Sequence, residues 1–453
     1  MLLAINDRTA KIGIIGLGYV GLPLALVYQH AGFHVTGFDN DVSKVTSLAQ
    51  GRSYIQHIGA ETVAEAVASG RFQATTDFDR LAALDAILIC VPTPLTDKRE
   101  PDVSFIENAG REIARRLRPG QLIVLESSTY PGTTEEVLLP LLEASGVRCR
   151  AELKAMAQAA HASASVAVAD TGRAYVAYSP EREDPGNRDF TTRTIPKLVG
   201  GIDPESGALA LALYSAAFES AVGVSSARVA EMAKILENTY RCVNIALVNE
   251  LKQLCLRMGI DIFEVIEAAA TKPFGFHPFY PGPGLGGHCI PIDPFYLSWK
   301  AHEFDFTTRF IQLAGEINTE MPYKVVEAIT TALNRRRLPV DGARILILGV
   351  AYKKDIDDLR ESPALKVIEL LSKLGAEVNY HDPHCPRVWR GRHNDFEMAS
   401  IPFIPADAAQ FDCVAVLTDH TDLDYRAIAC HARLLIDTRN ATRGLRADNV
   451  VHC

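Results

Sequence analysis

Between Lys11 and Asp39 the chain runs strand, glycine-rich turn, helix, strand, acid, and few folds accept that order at that spacing. Lys11–Ile15 is a short β-rich run. Gly16-Leu-Gly18-Tyr19-Val20-Gly21 follows, then a helical stretch, Leu22–Ala31, then a second β-rich run, His34–Phe38, ending in Asp39. Gly16 suits a tight turn, and Gly18 lets the backbone approach a pyrophosphate. Gly21 lets helix and strand pack closely, and the helix N-terminus receives the phosphates. Asp39 stands 18 residues after Gly21. A carboxylate there bonds both ribose hydroxyls and repels a 2′-phosphate, so NAD is favoured over NADP. The bland alternative is a glycine-rich turn without ligand, and the full context weighs against it.

The α/β alternation continues. Asp85–Val91 is a buried strand running into Val91-Pro-Thr93-Pro94, Asp102–Leu117 is helical, and Leu122–Glu126 is a strand running into Ser127-Ser-Thr129-Tyr-Pro-Gly132. Ligands bind at the carboxyl ends of such strands, so Thr93 and Thr129 are candidate site hydroxyls, though either suits a helix N-cap. Tyr175–Tyr178 reads as a strand followed by Ser179-Pro-Glu181-Arg-Glu183-Asp184-Pro185-Gly186. That carboxylate cluster is either an acid–base site or a solvated charge run. The Ala- and Ser-rich stretch Ala151–Ala169 reads as an exposed helix or a weakly ordered excursion, without chemistry.

Pro278–Pro294 contains four Gly and five Pro, which excludes a regular helix or central strand. It reads as a stiff, curved loop of the kind that wraps a ligand. In it sits one thiol, Cys289, with Asp293 four residues on. Before it, Ser226–Met258 is the longest helical pattern. Val229, Met232, Ala233, Leu236, Tyr240, Val243 and Leu247 mark an apolar side, and Lys234, Asn238 and Arg241 a polar stripe. Turned to a cleft, Lys234 and Asn238 would hold an oxyanion; turned outward, the stripe is merely solvated. A helix of this length suggests a spine between domains and a dimer surface. Asp305–Ile329 is helical again, and Leu338–Gly342 looks like a hinge. From Arg344 a second α/β block lacks GxGxxG, and Lys353, Arg360 and Arg439 near its strand ends suit phosphates.

The expected fold class is therefore α/β: two Rossmann-like doubly wound domains joined by a long central helix and a small helical dimerisation region. The expected domains are 1–225, 226–335 and 336–453. Net charge is -9 and pI about 5.8, so no nucleic-acid footprint is expected. Nine scattered cysteines show neither a disulfide framework nor zinc-ligand spacing, and no metal is expected. No signal peptide or membrane-length apolar stretch is read, and a reducing cytoplasm is the expected setting.

Seven motifs in fixed order resemble the UDP-glucose/GDP-mannose dehydrogenase family: Gly16–Gly21, Val91–Pro94, Glu126–Pro131, Ser179–Gly186, Glu231–Tyr240, Gly284–Asp293 and Tyr352–Pro363. Thr271–Pro294 looks most like the UDP-N-acetylglucosamine 6-dehydrogenase branch, which supplies acidic sugars for surface polysaccharides. The resemblance implies four-electron oxidation of a sugar-nucleotide 6-hydroxyl to a carboxylate with two NAD+. It gives Asp293, or water held by it with Lys234, the role of base. Cys289 captures the aldehyde, Thr129 and Glu181 place the hydrolytic water, and Lys234 and Asn238 stabilise the oxyanion. It implies NAD contacts at Gly16, Gly18, Tyr19, Val20, Gly21, Asp39, Lys44, Thr93, Thr129 and Arg360. Sugar-nucleotide contacts are implied at Glu181, Lys234, Asn238, Tyr280, Gly284, Gly286, Lys353 and Arg439. A homodimer through the central region is implied as well. Ala151–Ala169 is longer than the family's usual connection, and Pro185 falls where some members carry Glu. The same chemistry on UDP-glucose, UDP-N-acetylgalactosamine, UDP-N-acetylmannosamine or GDP-mannose is the alternative within the class. A nucleotide-sensing protein without turnover is the alternative outside it, and the presence of Cys289 and its partners weighs against that.

Overall fold

The computed structural model describes residues 1–55, 58–96, 98, 100–151, 172–182, 190–287, 289–391, 394–445 and 447–453. It is an α/β structure with two Rossmann-like sheets in two compact units. One unit comprises Met1–Glu237 with Phe295–Phe306, the other Asn238–Pro294 with Thr307–Cys453. The chain passes from the first to the second inside the helix Ala227–Met258.

The first unit is built on an eight-stranded sheet of β1 (Lys11–Ile15), β2 (His34–Phe38), β3 (Phe72–Thr75), β4 (Ala86–Ile89), β5 (Leu122–Leu125), β6 (Tyr175–Tyr178), β7 (Lys197–Gly201) and β8 (Ala221–Val224). The order is β3-β2-β1-β4-β5-β6-β7-β8. Neighbours are parallel apart from β6 and β7. Both faces are covered, which is why the strands read as continuous apolar runs. Alternate residues go to opposite cores: Ile12, Ile14 and Leu88 to one, Ile15, Ile87 and Ile89 to the other. The order reverses between β1 and β4, and the turn after β1 opens at that switch point.

Gly16 holds that turn at φ +92, and its N–H donates to Phe38 O at 2.8 Å. The helix Gly21–His30 then starts so close that a Cβ on Gly21 would lie 1.8 Å from Gly16 O. β3, β7 and β8 are not evident in the sequence. They are short, and β7 and β8 contain glycine, so their apolar signal is weak.

The second unit has a parallel sheet of β9 (Arg344–Leu348), β10 (Glu377–His381), β13 (Cys413–Val416), β14 (Leu435–Asp437) and β15 (Val450–His452), ordered β10-β9-β13-β14-β15. A two-stranded antiparallel ribbon pairs β11 (Arg387–Val388) with β12 (Met398–Ala399). The turn after β9 repeats the first unit's device: Gly349 has φ +79, and its N–H donates to His381 O at 2.9 Å. A second parallel is at the strand feet. Lys11 N–H donates to Asp85 Oδ2 at 2.9 Å, and Arg344 N–H donates to Asp412 Oδ2 at 2.9 Å.

Two boundaries differ from expectation. The helix expected from Asp305 runs Arg309–Arg335, because Asp305 takes a left-handed φ of 51 and closes the preceding turn. The loop expected to last to Pro294 ends earlier: Asp293 opens the helix Asp293–Ala301, with Pro294 in its first turn, where a missing N–H costs nothing. The stretch from 152 to 169 and the acids Glu183 and Asp184 lie outside the described residues.

Gly21→Ala should destabilise the first unit by about 1–3 kcal/mol, the usual cost of forcing atoms into a close-packed contact. Urea unfolding measures it, and an unchanged midpoint would show that the helix is free to move off the Gly16 turn.

Candidate active site

In the first unit, candidate side chains gather at the carboxyl ends of the strands. After β1, no atom lies within 4 Å of where a Cβ on Gly18 would project, so the backbone there can be approached closely. Gly18, Tyr19 and Val20 all remain partly accessible. Asp39, at the end of β2, accepts from Leu17 N–H at 3.0 Å and from Lys44 Nζ at 3.3 Å, and its other oxygen accepts from Asp41 N–H at 2.9 Å. The acid is thus fixed over the glycine turn. An open glycine approach, a positive-φ turn and an oriented acceptor acid are the space and the polar groups that an NAD dinucleotide needs.

Thr93 is buried in the turn after β4. Ser127 Oγ donates to Val91 O at 2.8 Å and ties that turn to the one after β5. Thr129 is fully buried, its hydroxyl 2.6 Å from that of Thr133. Glu181 follows β6 and accepts from Arg182 N–H at 2.6 Å. Its other oxygen lies 3.9 Å from Lys197 Nζ, a buried ammonium that also bonds Glu126 at 2.6 Å and Pro180 O at 3.1 Å. Burial raises the Glu126 pKa, while Lys197 opposes that rise.

The helix Ala227–Met258 carries Lys234 and Asn238 one turn apart. Lys234 is only 5% exposed, so the polar stripe is not a solvated face at that position, whereas Arg241 further along is exposed. The apolar side behaves in the opposite way: Val229, Met232, Leu236, Tyr240 and Leu247 are exposed, and Leu251, Leu254 and Met258 extend the same exposed face.

In the second unit the Gly/Pro loop is packed so tightly that side chains are excluded at several points. A Cβ on Gly286 would lie 2.5 Å from Tyr352 Cβ, and one on Gly282 would lie 2.5 Å from a guanidinium nitrogen of Arg439. Gly284 stands at φ +137 with Pro363 Cβ 3.0 Å from its would-be Cβ. Leu285 and Ile290 pack against Cys242, Ala246 and Ala314. Past Cys289 the chain closes a turn in which Cys289 O accepts from Ile292 N–H at 3.0 Å and Asp293 N–H at 2.8 Å. Asp293 is buried, and its Oδ2 accepts from Asn238 Nδ2 at 2.6 Å. Cys289, Asp293 and Asn238 are thereby brought into one small constellation. None of the nine cysteines is in a disulfide.

Arg439 donates from Nε to Leu417 O at 2.9 Å, and burial lowers its pKa. Lys353 is half-buried in the turn after β9. Arg360 forks onto Asp358 at 2.6–3.0 Å, and its carbonyl accepts from Gly287 N–H at 2.9 Å. Tyr280 is exposed and stacks on Phe263.

Asp382, at the end of β10, stands where Asp39 stands on β2. It accepts from Val350 and Ala351 N–H at 2.7 and 3.1 Å. Its second partner differs. His420, fully buried, accepts at Nδ1 from Asp355 N–H at 3.0 Å, so its Nε2 carries the proton and donates to Asp382 at 3.0 Å. The bonds from His420 and the turn amides outweigh burial and hold Asp382 down to about 2. Asp355, His384 and His420 gather at metal-ligand distances, but both nitrogens of His420 are committed to these bonds.

Three family models match: the NAD-binding domain of the UDP-glucose/GDP-mannose dehydrogenase family over residues 10–218, its central domain over 228–320 and its UDP-binding domain over 346–444. The chain belongs to that family. The dehydrogenase is 34% identical to a UDP-N-acetyl-D-glucosamine 6-dehydrogenase of Pseudomonas aeruginosa over 83% of each chain. It is 35% identical to an NDP-N-acetyl-D-galactosaminuronic acid dehydrogenase of Ralstonia nicotianae, over 96% of this chain and 97% of that one. The solved UDP-D-ManNAc dehydrogenase of Pyrococcus horikoshii superposes with TM-score 0.84 at 29% identity, over 98% of each chain. The enzyme is an NAD-dependent nucleotide-sugar dehydrogenase, an oxidoreductase. No helix among its described residues is long and apolar enough to cross a membrane.

Sequence reasoning gave no role to Glu231, whose carboxylate is fully buried in the dehydrogenase and accepts from Gly132 N–H at 2.5 Å and Thr134 N–H at 2.9 Å. Its signal in the chain is its place at the head of the Glu231–Tyr240 motif, three residues before Lys234. Burial outweighs the hydrogen bonds and raises its pKa from 4.5 to about 7. A raised acid favours the protonated fold, so the stability it lends is complete below about pH 4.5 and is lost as the pH rises to about 7. Glu231→Gln should remove that slope, about 3 kcal/mol at 1.36 kcal/mol per pH unit. Urea unfolding at pH 5 and pH 7.5 tests it; an identical pH dependence in the variant would assign the slope elsewhere.

Proposed function

We propose that the enzyme oxidises the 6-hydroxyl of a UDP-N-acetylhexosamine, UDP-N-acetylglucosamine in the first instance, to the carboxylate. Cys289 is the covalent nucleophile, and the product is an acidic sugar nucleotide for surface polysaccharide synthesis. The observation that carries this reading is the Cys289 turn, with Asp293 one turn on and the Asn238 amide on its carboxylate at 2.6 Å. NAD, when bound, accepts hydride twice.

In the first step Asp293, or water held by it with Lys234, takes the hydroxyl proton as hydride leaves carbon 6. Cys289 Sγ then adds to the aldehyde carbon, giving a thiohemiacetal. Loss of the second hydride and the hydroxyl proton leaves a thioester. Water placed by Thr129 and Glu181 adds to it, and the thiolate departs with the carboxylate formed. The sum is one alcohol, one water and two NAD+ giving one carboxylate, two NADH and three protons. Lys234 and Asn238 stabilise the oxyanion, a role worth ~3–4 kcal/mol per donor in comparable sites.

The dinucleotide would lie along Gly16, Gly18, Tyr19, Val20 and Gly21, with Asp39 on the ribose and Lys44, Thr93, Thr129 and Arg360 contributing. Tyr280, Gly284, Gly286, Lys353 and Arg439 would receive the sugar nucleotide. In the second unit, His420 occupies Asp382, the counterpart of Asp39, which supports a nucleotide other than NAD there. We further infer a homodimer: the exposed face from Val229 to Met258 is apolar over the length of the helix, and a second copy of this chain would cover it. Unbridged thiols and NAD chemistry support a cytoplasmic setting.

NADH counted per sugar nucleotide consumed, across UDP- and GDP-sugars, tests the reading. Two NADH per UDP-N-acetylglucosamine is the expected result. Two per another sugar moves the substrate, and none from any sugar with NAD bound favours a non-catalytic protein. Cys289→Ala should abolish acid formation, and undiminished acid output would refute the covalent route. Asp39→Ala should weaken NAD binding at least ~10-fold, the loss of a buried charge-assisted pair of bonds, and relax exclusion of NADP. Unchanged cofactor preference in a binding titration would remove Asp39 from the ribose site.

A further inference from the structure

The chemistry above makes no use of Glu231, yet through it two candidate catalytic segments are joined. It lies on the helix Ala227–Met258 three residues before Lys234 and seven before Asn238, so the three share one side of the helix. Both of its carboxylate oxygens are spent on one loop. Oε2 accepts from Gly132 N–H at 2.5 Å, and Oε1 accepts from Thr134 N–H at 2.9 Å and from the Thr134 hydroxyl at 2.7 Å.

That loop follows β5 and carries Thr129. The Thr133 hydroxyl, next to Thr134, lies 2.6 Å from the Thr129 hydroxyl and donates to Tyr130 O at 2.9 Å. The bonds therefore run without a break from the helix to Thr129. At the solvent-exposed edge Arg228, on the same helix, binds Glu135 and Glu136 of the same segment at 3.1 Å. An apolar residue at 231 would leave the buried N–H groups of Gly132 and Thr134 unpaired, at about 1–3 kcal/mol each, so the acid both stabilises the loop and decides where it lies. Three donors converging on two oxygens do what packing cannot: they fix the loop in direction and along the helix axis.

We propose that Glu231 is a positioning residue for the dehydrogenase reaction, holding the loop that presents Thr129 in register with the helix side that presents Lys234. The proposal rests on the roles given to Thr129 and Lys234 above. Thr134 is the second half of the latch. It is fully buried, and Thr134→Val removes its hydroxyl at nearly constant shape.

The test uses the full-length enzyme with Glu231→Gln, Thr134→Val and Thr134→Ser. Initial rates of NADH formation from UDP-N-acetylglucosamine give kcat and KM, and hydrogen–deuterium exchange reads the amides of residues 127–138. Glu231→Gln and Thr134→Val should lower kcat ~10–100-fold, the scale of a small misplacement of reacting groups, with KM for sugar and NAD little changed. Exchange across the loop should rise in both. Thr134→Ser, which keeps the hydroxyl, should restore rate and protection. The double variant should be hardly slower than Glu231→Gln alone, because the two residues act as one unit. Should Glu231→Gln not fold, Thr134→Val and its rescue by Thr134→Ser carry the comparison. Raised exchange with wild-type kcat would make the latch purely structural and overturn the proposal, as would a Thr134→Ser enzyme as slow as Thr134→Val. Wild-type protein that forms no NADH from any sugar nucleotide would sink the functional reading and this role together, whereas full-rate variants of an active enzyme would sink this role alone.

Discussion

The shape of the Cys289 loop hangs on a pair of buried asparagines. Gly282 N–H donates to Asn249 Oδ1 at 2.9 Å, Asn249 Nδ2 donates to Asn318 Oδ1 at 3.0 Å, and Asn318 Nδ2 donates to Cys242 O at 3.1 Å. A segment in which Pro278, Pro281 and Pro283 supply no N–H cannot build a ladder or a helix of its own. Its few remaining donors must be met from outside the loop: Gly282 N–H by Asn249, which Asn318 on a second helix holds in place, and Gly287 N–H by Arg360 O. Buried amide pairs have strict geometry, because each group left unpaired costs about 1–3 kcal/mol. They therefore fix the start of the loop, and glycines packed on Arg439, Pro363 and Tyr352 fix its middle. By the time the chain reaches Cys289, little freedom is left, and the thiol is delivered with Asp293 already bound to Asn238.

The two sheets share a framework and differ where ligands would touch it. Each has a positive-φ glycine after its first strand, an acid at the end of the neighbouring strand and an aspartate capping the foot of the first strand. These features serve the backbone: a right-handed βαβ unit needs a turn that no side chain obstructs, and the acid gathers the turn's free N–H groups. In the first unit the acid's side-chain partner is the half-exposed Lys44. In the second the partner is His420, buried and held at both nitrogens, so that corner is filled by the protein itself. The same backbone arrangement thus gives the acid an exposed lysine in the first unit and a buried histidine in the second.

Much of this was legible in the chain. The βαβ unit from Lys11 to Asp39 could be read because its glycines and acid are required by sterics and charge, which leave direct marks at fixed spacing. The Gly/Pro loop could be read for the same reason. β3, β7 and β8 could not, since four or five residues interrupted by glycine or polar groups carry no clear period. Lys197 gave no signal in the chain, and Glu231, though it heads a motif, gave no sign of what it binds. Their significance lies in being buried against carbonyls, carboxylates and amides from distant parts of the chain, and a charged residue in a helical or β pattern ordinarily signals solvent.

The long helix shows how far a periodicity argument can be inverted by context. Its polar residues Glu231 and Lys234 are buried, while Leu236, Tyr240, Leu247, Leu251 and Leu254 face outward. A helix solvated on its own would be arranged the other way round, since each exposed leucine forgoes roughly 1.5–3 kcal/mol of burial. The inward side packs mostly small apolar residues, Ala227, Ala230, Ile235, Cys242, Ala246 and Val248, and sets among them hydrogen-bonding groups that hold a loop and candidate catalytic groups. Most of the larger apolar residues lie on the outside, where only another surface can cover them. The second copy of the chain that we propose there would make assembly the source of burial for the large apolar residues of the outer face. The polarity of this one helix then ties the chemistry of the site to the association of the subunits.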